Sequence, residues 1–327
     1  MRFAITGANG LIGKALAIRL AKEGHEVHGI FRSTVPKEFN AFPEIKIFQG
    51  DILHPDRLNE AFKGVDGIFH VAAFAKPWSK NKQLYYDINV QGTINVCNAA
   101  LKTGAKRVVY TSSAGTHGAQ HVEQLIDEET WPSTYHTDYE QSKFDGRQAA
   151  LGFQEAGLEV TVVSPARVYA PFDASESNVP RRMMKIYFER KFGFVPASGE
   201  GIGSYVYIDD IVQGHLLAML KAPSGEEYLL GGDNLSYLSF FDQLAEVSGI
   251  RYPVFKVPYQ LSLGIGKAQL LAAKTMGIKP TITTPWVRRY LQNWGVNSQK
   301  IQDLGYQITP AHKGFEILAE EIQQTKS

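Results

Sequence analysis

The sequence predicts an α/β fold, a doubly wound parallel sheet with a smaller C-terminal lobe. Two observations carry this. Short apolar runs alternate with segments whose apolar residues recur at helical spacing, and the alternation weakens after about residue 170. Strands joined by helix-length crossovers run parallel, with helices covering both sheet faces. Residues 2–6 (RFAIT), 26–31 (EVHGIF), 45–49 (IKIFQ), 67–72 (GIFHVA), 107–112 (RVVYTS) and 159–164 (EVTVVS) read as strands. Residues 11–22, 55–62, 84–102 and 139–154 read as helices between them. The later half shows short helices, Pro-containing loops and two strand signals, SYVYI and EYLLG.

Bulk properties narrow the function. The chain has 327 residues, 44% hydrophobic and 20% charged, which suffices for a large core. Net charge is +1, without a basic block, which argues against nucleic acid as a partner. Cys97 is the only cysteine, so intramolecular disulfides and cysteine-rich metal sites are excluded, and no metal is expected. The N-terminus lacks the apolar core of a signal peptide. The apolar stretch VPYQLSLGIGKAQLLAA is interrupted by Pro258, Gly264, Gly266 and Lys267. It is too broken to span a bilayer and reads as an amphipathic helix over a pocket, so a cytoplasmic protein is expected.

The first strand runs into TGANGLIGKAL, with Gly7, Gly10 and Gly13 spaced GxxGxxG. Glycines there permit a tight turn and close approach of a pyrophosphate to the backbone, and the helix N-terminus offers free N–H groups. The alternative is a tight turn without a ligand. Placement at the first strand–helix junction favours a dinucleotide and a Rossmann-type sheet. Residues 1–170 are then the dinucleotide half, and 171–327 a substrate lobe with strands and helices returning to the core. The second strand ends without the carboxylate that would accept from the adenosine ribose; Arg32, Ser33 and Thr34 stand there. A guanidinium suits a 2′-phosphate, so NADP(H) is expected over NAD(H), the alternative being a solvated arginine. Asp51 in FQGDIL can accept from the adenine amino group with Ile52 against the ring, or cap the following turn.

The segment STYHTDYEQSKFDGRQAA sets Tyr135, Tyr139 and Lys143 four residues apart on one helix. Spacing alone does not separate a solvated face from a proton-transfer device. Tyr135 has Tyr139 at i+4, whereas Tyr139 has a cation there.

Together with these motifs, HVAA (70–73), NVQGTINV (89–96), YTSSAGTHG (110–118), YEQSK (139–143), SPARVYAP (164–171) and YVYIDDIVQGHLLA (205–218) make the chain resemble the extended short-chain dehydrogenase/reductases. TSSAGT, DEETW, GHLLA and YLLGGDNLSY resemble the dihydroflavonol-4-reductase-like branch, which includes hopanoid-associated sugar epimerases. The resemblance implies that Tyr139 is the general acid/base and Ser113 the substrate-holding hydroxyl, with Ser112 the runner-up. It implies that Lys143 lowers the phenol pKa and reaches the nicotinamide ribose, and that Asn89 orients backbone or water near Lys143. It places Gly7, Asn9, Gly10, Leu11, Ile12, Gly13, Arg32, Asp51, Ile52, Ala72, Lys143, Pro165 and Val168 around the cofactor. Trp78, Tyr135, His117 and Tyr169 are expected near substrate, with Arg167 and His121 as further approaches. Asp209 and Asp210 read as caps of a helix beginning near residue 211.

Where sugar-nucleotide members carry an Arg-Asp pair, this chain has Gly203 and Ser204. A diphosphate would lose a cationic clamp unless Arg181, Arg182 or Arg288 replaced it. The apolar stretches FAKPWSK, MMKIYF and YQLSLGIG suit an uncharged carbonyl compound. The expected activity is NADPH-dependent reduction of an aldehyde or ketone. The alternatives are a nucleotide-sugar epimerase or dehydratase, a 3β-hydroxysteroid dehydrogenase-like enzyme, and a non-catalytic NADP-sensing protein. The resemblance also implies a homodimer paired through the helices at 84–102 and 139–156.

Overall fold

The structure, a computed structural model, describes residues 1–120, 124–172 and 178–324. A seven-stranded sheet forms its centre, in the order β10-β6-β5-β4-β1-β2-β3. These strands are β1 (Arg2–Thr6), β2 (Glu26–Phe31), β3 (Ile45–Gln49), β4 (Gly67–His70), β5 (Arg107–Thr111), β6 (Glu159–Pro165) and β10 (Glu227–Leu230). Every pairing within the sheet is parallel. The strand order reverses across β1 and β4. A crevice opens there at the carboxyl ends of the strands, and such switch points hold ligands in open α/β sheets.

Alternation along the strands divides the core between the two faces. Phe3, Ile5, Phe69, Val109 and Val163 pack with helices α1 (Leu11–Lys22) and α7 (Ile208–Leu220). Ala4, Ile68, Val108, Tyr110 and Val160 pack with α2 (Asp56–Phe62), α4 (Gly92–Thr103) and α5 (Asp138–Gly152). Cys97 is buried in this second cluster, and burial pushes its thiol up to about 12.

The helix expected at 84–102 is not continuous. It consists of α3 (Gln83–Tyr86), a π-helical turn at Asp87–Gln91, and α4. The periodicity of the apolar residues runs through the π turn, so the sequence gives no mark of it. That turn presents Asn89 to the interior, where it is 1% exposed.

The later half holds more strands than expected. β7 (Arg167–Tyr169), β9 (Ile202–Tyr207) and β11 (Asp233–Ser236) make a small sheet, and β8 (Gly193–Pro196) pairs with β12 (Val254–Val257). EYLLG belongs to the main sheet as β10, parallel to β6. Helix α7 begins at Ile208 rather than near 211, and Asp210 is not its cap. Its carboxylate accepts from the Thr309 backbone and hydroxyl, fixing the C-terminal segment. The remaining helices are α6 (Val179–Arg190), α8 (Tyr237–Ser248), α9 (Tyr259–Met276), α10 (Thr284–Tyr290), α11 (Gln299–Gln302) and α12 (Ala311–Gln324). No helix among the described residues is long and apolar enough to cross a membrane.

Candidate active site

The glycine turn is built by close backbone approach. Gly7 has φ +69°, and a Cβ there would come within 2.8 Å of the Ala72 backbone. A Cβ on Gly13 would lie 2.2 Å from the Gly7 carbonyl oxygen. The two positions therefore accept only glycine without rearrangement. Gly10 caps α1 without a side-chain bond, and the first turn carries no acidic residue. The leading N–H groups of the helix, beginning at Leu11 and Ile12, carry the favourable end of the helix dipole. Asn9 is exposed beside them, and Ala72 donates its N–H to Thr6 Oγ1 at 3.2 Å. This cradle fits a dinucleotide pyrophosphate.

Around the rest of that crevice the expectations divide. Arg32 stands exposed after β2. Asp51 Oδ1 accepts from the Leu53 N–H at 3.0 Å, the turn-capping alternative. Ile52 does not present its side chain to a ring: it is 7% exposed and packs against Gly92, whose missing Cβ makes the space. Pro165 ends β6, and Val168 is buried in the core cluster of β7, so its side chain is a packing element.

Helix α5 carries the tyrosine and lysine. Thr137 accepts from the Glu140 N–H and the Glu140 carboxylate accepts from the Thr137 N–H, a reciprocal cap that fixes where the helix starts. Gly146 lets α5 press against the π turn, since a Cβ there would lie 2.2 Å from the Asn89 carbonyl oxygen. Asn89 Oδ1 accepts from the Phe74 N–H at 2.7 Å, and its amide donates to Ser142 Oγ at 2.9 Å. Its side chain thus ties the backbone at Phe74 to α5 and makes no hydrogen bond to Lys143 itself.

The Ser113 hydroxyl faces the Tyr139 phenol. Ser113 follows β5, caps a short 3-10 turn and accepts from the Gly115 N–H at 3.2 Å. Ser112 is buried with an unpartnered hydroxyl on the other side of the chain. Burial pushes the Tyr139 phenol above its usual value near 10, and the Ser113 hydroxyl and Arg289 charge act in the opposite direction.

Lys143 lies one helical turn along α5 from Tyr139. Its ammonium donates to the Thr111 carbonyl at 2.7 Å, over the Tyr110 ring, and makes no hydrogen bond to Tyr139. Burial without a carboxylate partner brings its pKa down to about 7. Arg289, from the far lobe, also brings a positive charge to the phenol. Its guanidinium is ion-paired with Glu140, stacks over Trp294 at 3.8 Å and has its pKa lowered to about 10 by burial. Arg288 is a candidate cation in the sequence, whereas its neighbour Arg289 carries no local signal. The available signal was the absence of any Asp or Glu between Glu246 and Asp303, which leaves the arginines there to find a partner elsewhere.

Three residues expected near substrate serve the scaffold. His117 is fully buried, with Nδ1 toward the Thr130 carbonyl at 3.1 Å and Nε2 toward Glu227 at 2.9 Å. Burial alone would raise the Glu227 carboxyl, but His117, Arg147 and Ser164 together hold it down to about 2. Tyr169 is fully buried against Phe315 and Tyr207. Tyr135 donates to the Thr116 carbonyl at 3.0 Å and packs on Phe144, bracing the loop after Ser113. Trp78 is half-buried in a loop held to α10 by Trp286 Nε1, which donates to the Pro77 carbonyl at 2.7 Å. His121 lies outside the described residues.

A parallel sheet with a glycine cradle at its switch point, beside a facing serine and tyrosine, defines a dinucleotide-dependent enzyme of the extended short-chain dehydrogenase/reductase type. The chain belongs to the NAD dependent epimerase/dehydratase family, whose model matches residues 3–231. A Synechocystis protein provisionally named dihydroflavonol 4-reductase is 28% identical over 93% of this chain and 89% of its own length. Sterol demethylase protein B of Methylococcus capsulatus is 31% identical over 80% of this chain and 79% of its own. The crystal structure of gox2253 superposes with a TM-score of 0.82 at 27% identity, covering 99% of this chain and 98% of that one.

Proposed function

We propose that the protein is an NADPH-dependent reductase of an aldehyde or ketone. The observation that carries this is the half-buried Tyr139 phenol facing the Ser113 hydroxyl at the end of β5, beside the glycine cradle. Reduction of a carbonyl needs a proton donor at the oxygen, and a phenol, with an ordinary pKa of about 10, is protonated at neutral pH. The nicotinamide, when bound, supplies hydride to the carbonyl carbon. Ser113 and Tyr139 hold the carbonyl oxygen by hydrogen bonds and steady the charge that develops on it. Tyr139 gives up its proton to that oxygen, and the Arg289 charge eases formation of the phenolate. Lys143 is placed at the carboxyl end of β5, where the family resemblance puts the nicotinamide ribose; a hydroxyl acceptor there would favour its charged form. The glycine cradle and α1 would hold the pyrophosphate.

NADPH preference rests on Arg32, exposed where a 2′-phosphate would sit. Michaelis constants for NADPH and NADH test it; equal values, or a preference for NADH, remove the assignment. A carbonyl panel read by NADPH oxidation tests the reductase reading. Tyr139→Phe is expected to lower turnover by about 10³-fold with NADPH affinity retained. Near-normal turnover in that variant refutes the role of Tyr139. Cofactor that stays bound through turnover without net oxidation would favour an epimerase instead. A homodimer through α4 and α5, in the cytoplasm, completes this reading, and sedimentation equilibrium checks the dimer.

A further inference from the structure

We propose that the substrate carries a carboxylate within two or three carbons of its reacting carbon, held by Arg167 and Arg289. This deepens the reductase reading and rests on it. It also replaces the expectation of a largely uncharged substrate.

The cleft beside Ser113 is lined by Gly115, Pro165, Arg167, Arg289 and Trp294. Arg167 opens β7, and its guanidinium lies against Gly203, where a Cβ would come within 2.3 Å of Cζ. It sits over the Tyr205 and Tyr237 rings at 5.4 and 5.0 Å, and Nη1 donates to the Tyr205 hydroxyl at 3.1 Å. No carboxylate forms an ion pair with Arg167 among the described residues; the groups that act on its charge are tyrosines. A partly exposed guanidinium lining the cleft without a carboxylate partner is open to an anion brought by a ligand.

Arg289 differs, because Glu140 is its ion-pair partner. Two guanidinium groups and one carboxylate leave the substrate side of the cleft with one uncompensated positive charge. That matches a monoanion. A diphosphate would need more. A carboxylate also fits the planar fork of an arginine.

The span to the reacting carbon is short. The point where a Gly115 Cβ would sit is 2.9 Å from Arg289 Nη2 and 3.3 Å from Ser113 Oγ. A group on the Arg289 guanidinium and an oxygen on the serine therefore belong to one small fragment, and Arg167 lines the same cleft. The substrate class is a 2- or 3-oxo acid, or the matching hydroxy acid in reverse.

The test uses 2- and 3-hydroxyoctanoate against their methyl esters, with NADP⁺, in wild-type and Arg167→Met proteins. The acids are expected to exceed their esters in kcat/KM. Arg167→Met is expected to lower the acid value by about 100-fold and bring the acid-to-ester ratio toward one, the effect of losing a charge-assisted hydrogen bond. Esters that equal or outrun the acids overturn the proposal, as does an equal loss for both in the variant. Calorimetric binding of the hydroxyoctanoates to NADP⁺-loaded protein gives a readout independent of turnover. Binding that Arg167→Met abolishes supports the anion site even if no carbonyl is ever reduced, in which case only the reductase reading fails. Binding absent in wild type, with other carbonyls reduced, overturns the anion site alone.

Discussion

The two walls of the cleft are built from different materials. The cofactor wall is backbone: Gly7, Gly13 and Ala72 approach so closely that side chains are excluded, and the anion site is a bare helix end. The wall proposed for substrate is long side chains: Arg167 and Arg289 held by tyrosine and tryptophan rings, with one ion pair crossing to Glu140. A backbone wall has few sequence solutions and serves one kind of ligand. A side-chain wall can be altered one residue at a time, so individuality of substrate belongs there.

The crossing ion pair gives the strongest way to break this contrast. Glu140→Gln keeps the reciprocal cap, since glutamine can also reach the Thr137 N–H, but leaves the half-buried Arg289 without its counter-charge. A loss of about 3 kcal/mol in denaturant unfolding is expected. A change under about 0.5 kcal/mol would show that the pair does not join the walls.

On the backbone wall, Gly13→Ala forces a methyl against the Gly7 carbonyl. Overpacking of this kind costs about 1–3 kcal/mol, and dinucleotide affinity should fall with it. Unchanged affinity by fluorescence titration would mean that the cradle does not hold the cofactor.

Lys143 sharpens the comparison through pH. Its pKa in the folded protein, about 7, is below the value near 10.4 of an unfolded chain. Between those values the unfolded state binds more protons, so this group makes the protein more stable as pH rises from 7 to 10. The slope for one proton is at most about 1.4 kcal/mol per pH unit. Relative to Lys143→Met, the cofactor-free wild type should gain stability across that window; parallel pH profiles would exclude it.

The smallest effect isolates the cap. Thr137→Ala should cost about 1 kcal/mol, and it should leave the charge on Arg289 balanced. If it matched the loss from Glu140→Gln, the ion pair would contribute nothing beyond the helix start.

These walls were unequally legible in the sequence. The glycine turn, the main-sheet strands β1 to β6 and the Tyr139–Lys143 spacing are local patterns, and local patterns read directly. β7, β8, β11 and β12 are three or four residues long and lack an alternating run, so they left no periodic signal. β10 was visible as a strand, but its pairing with β6 depends on the route of the chain through the second half. His117 and Tyr169 carry chemistry-bearing side chains in motif positions, yet each is enclosed by partners far along the chain. Arg289 reaches the phenol from a segment 150 residues later, and spacing cannot report such an approach.

The bed beneath Arg167 has a consequence for relatives of this chain. With the guanidinium resting on a bare α-carbon, positions 167 and 203 compete for one volume, and only one of them can project a side chain into it. A homologue with a bulky residue at 203 must shorten or redirect whatever stands at 167, so the two sites should be exchanged as a couple when substrate preference drifts.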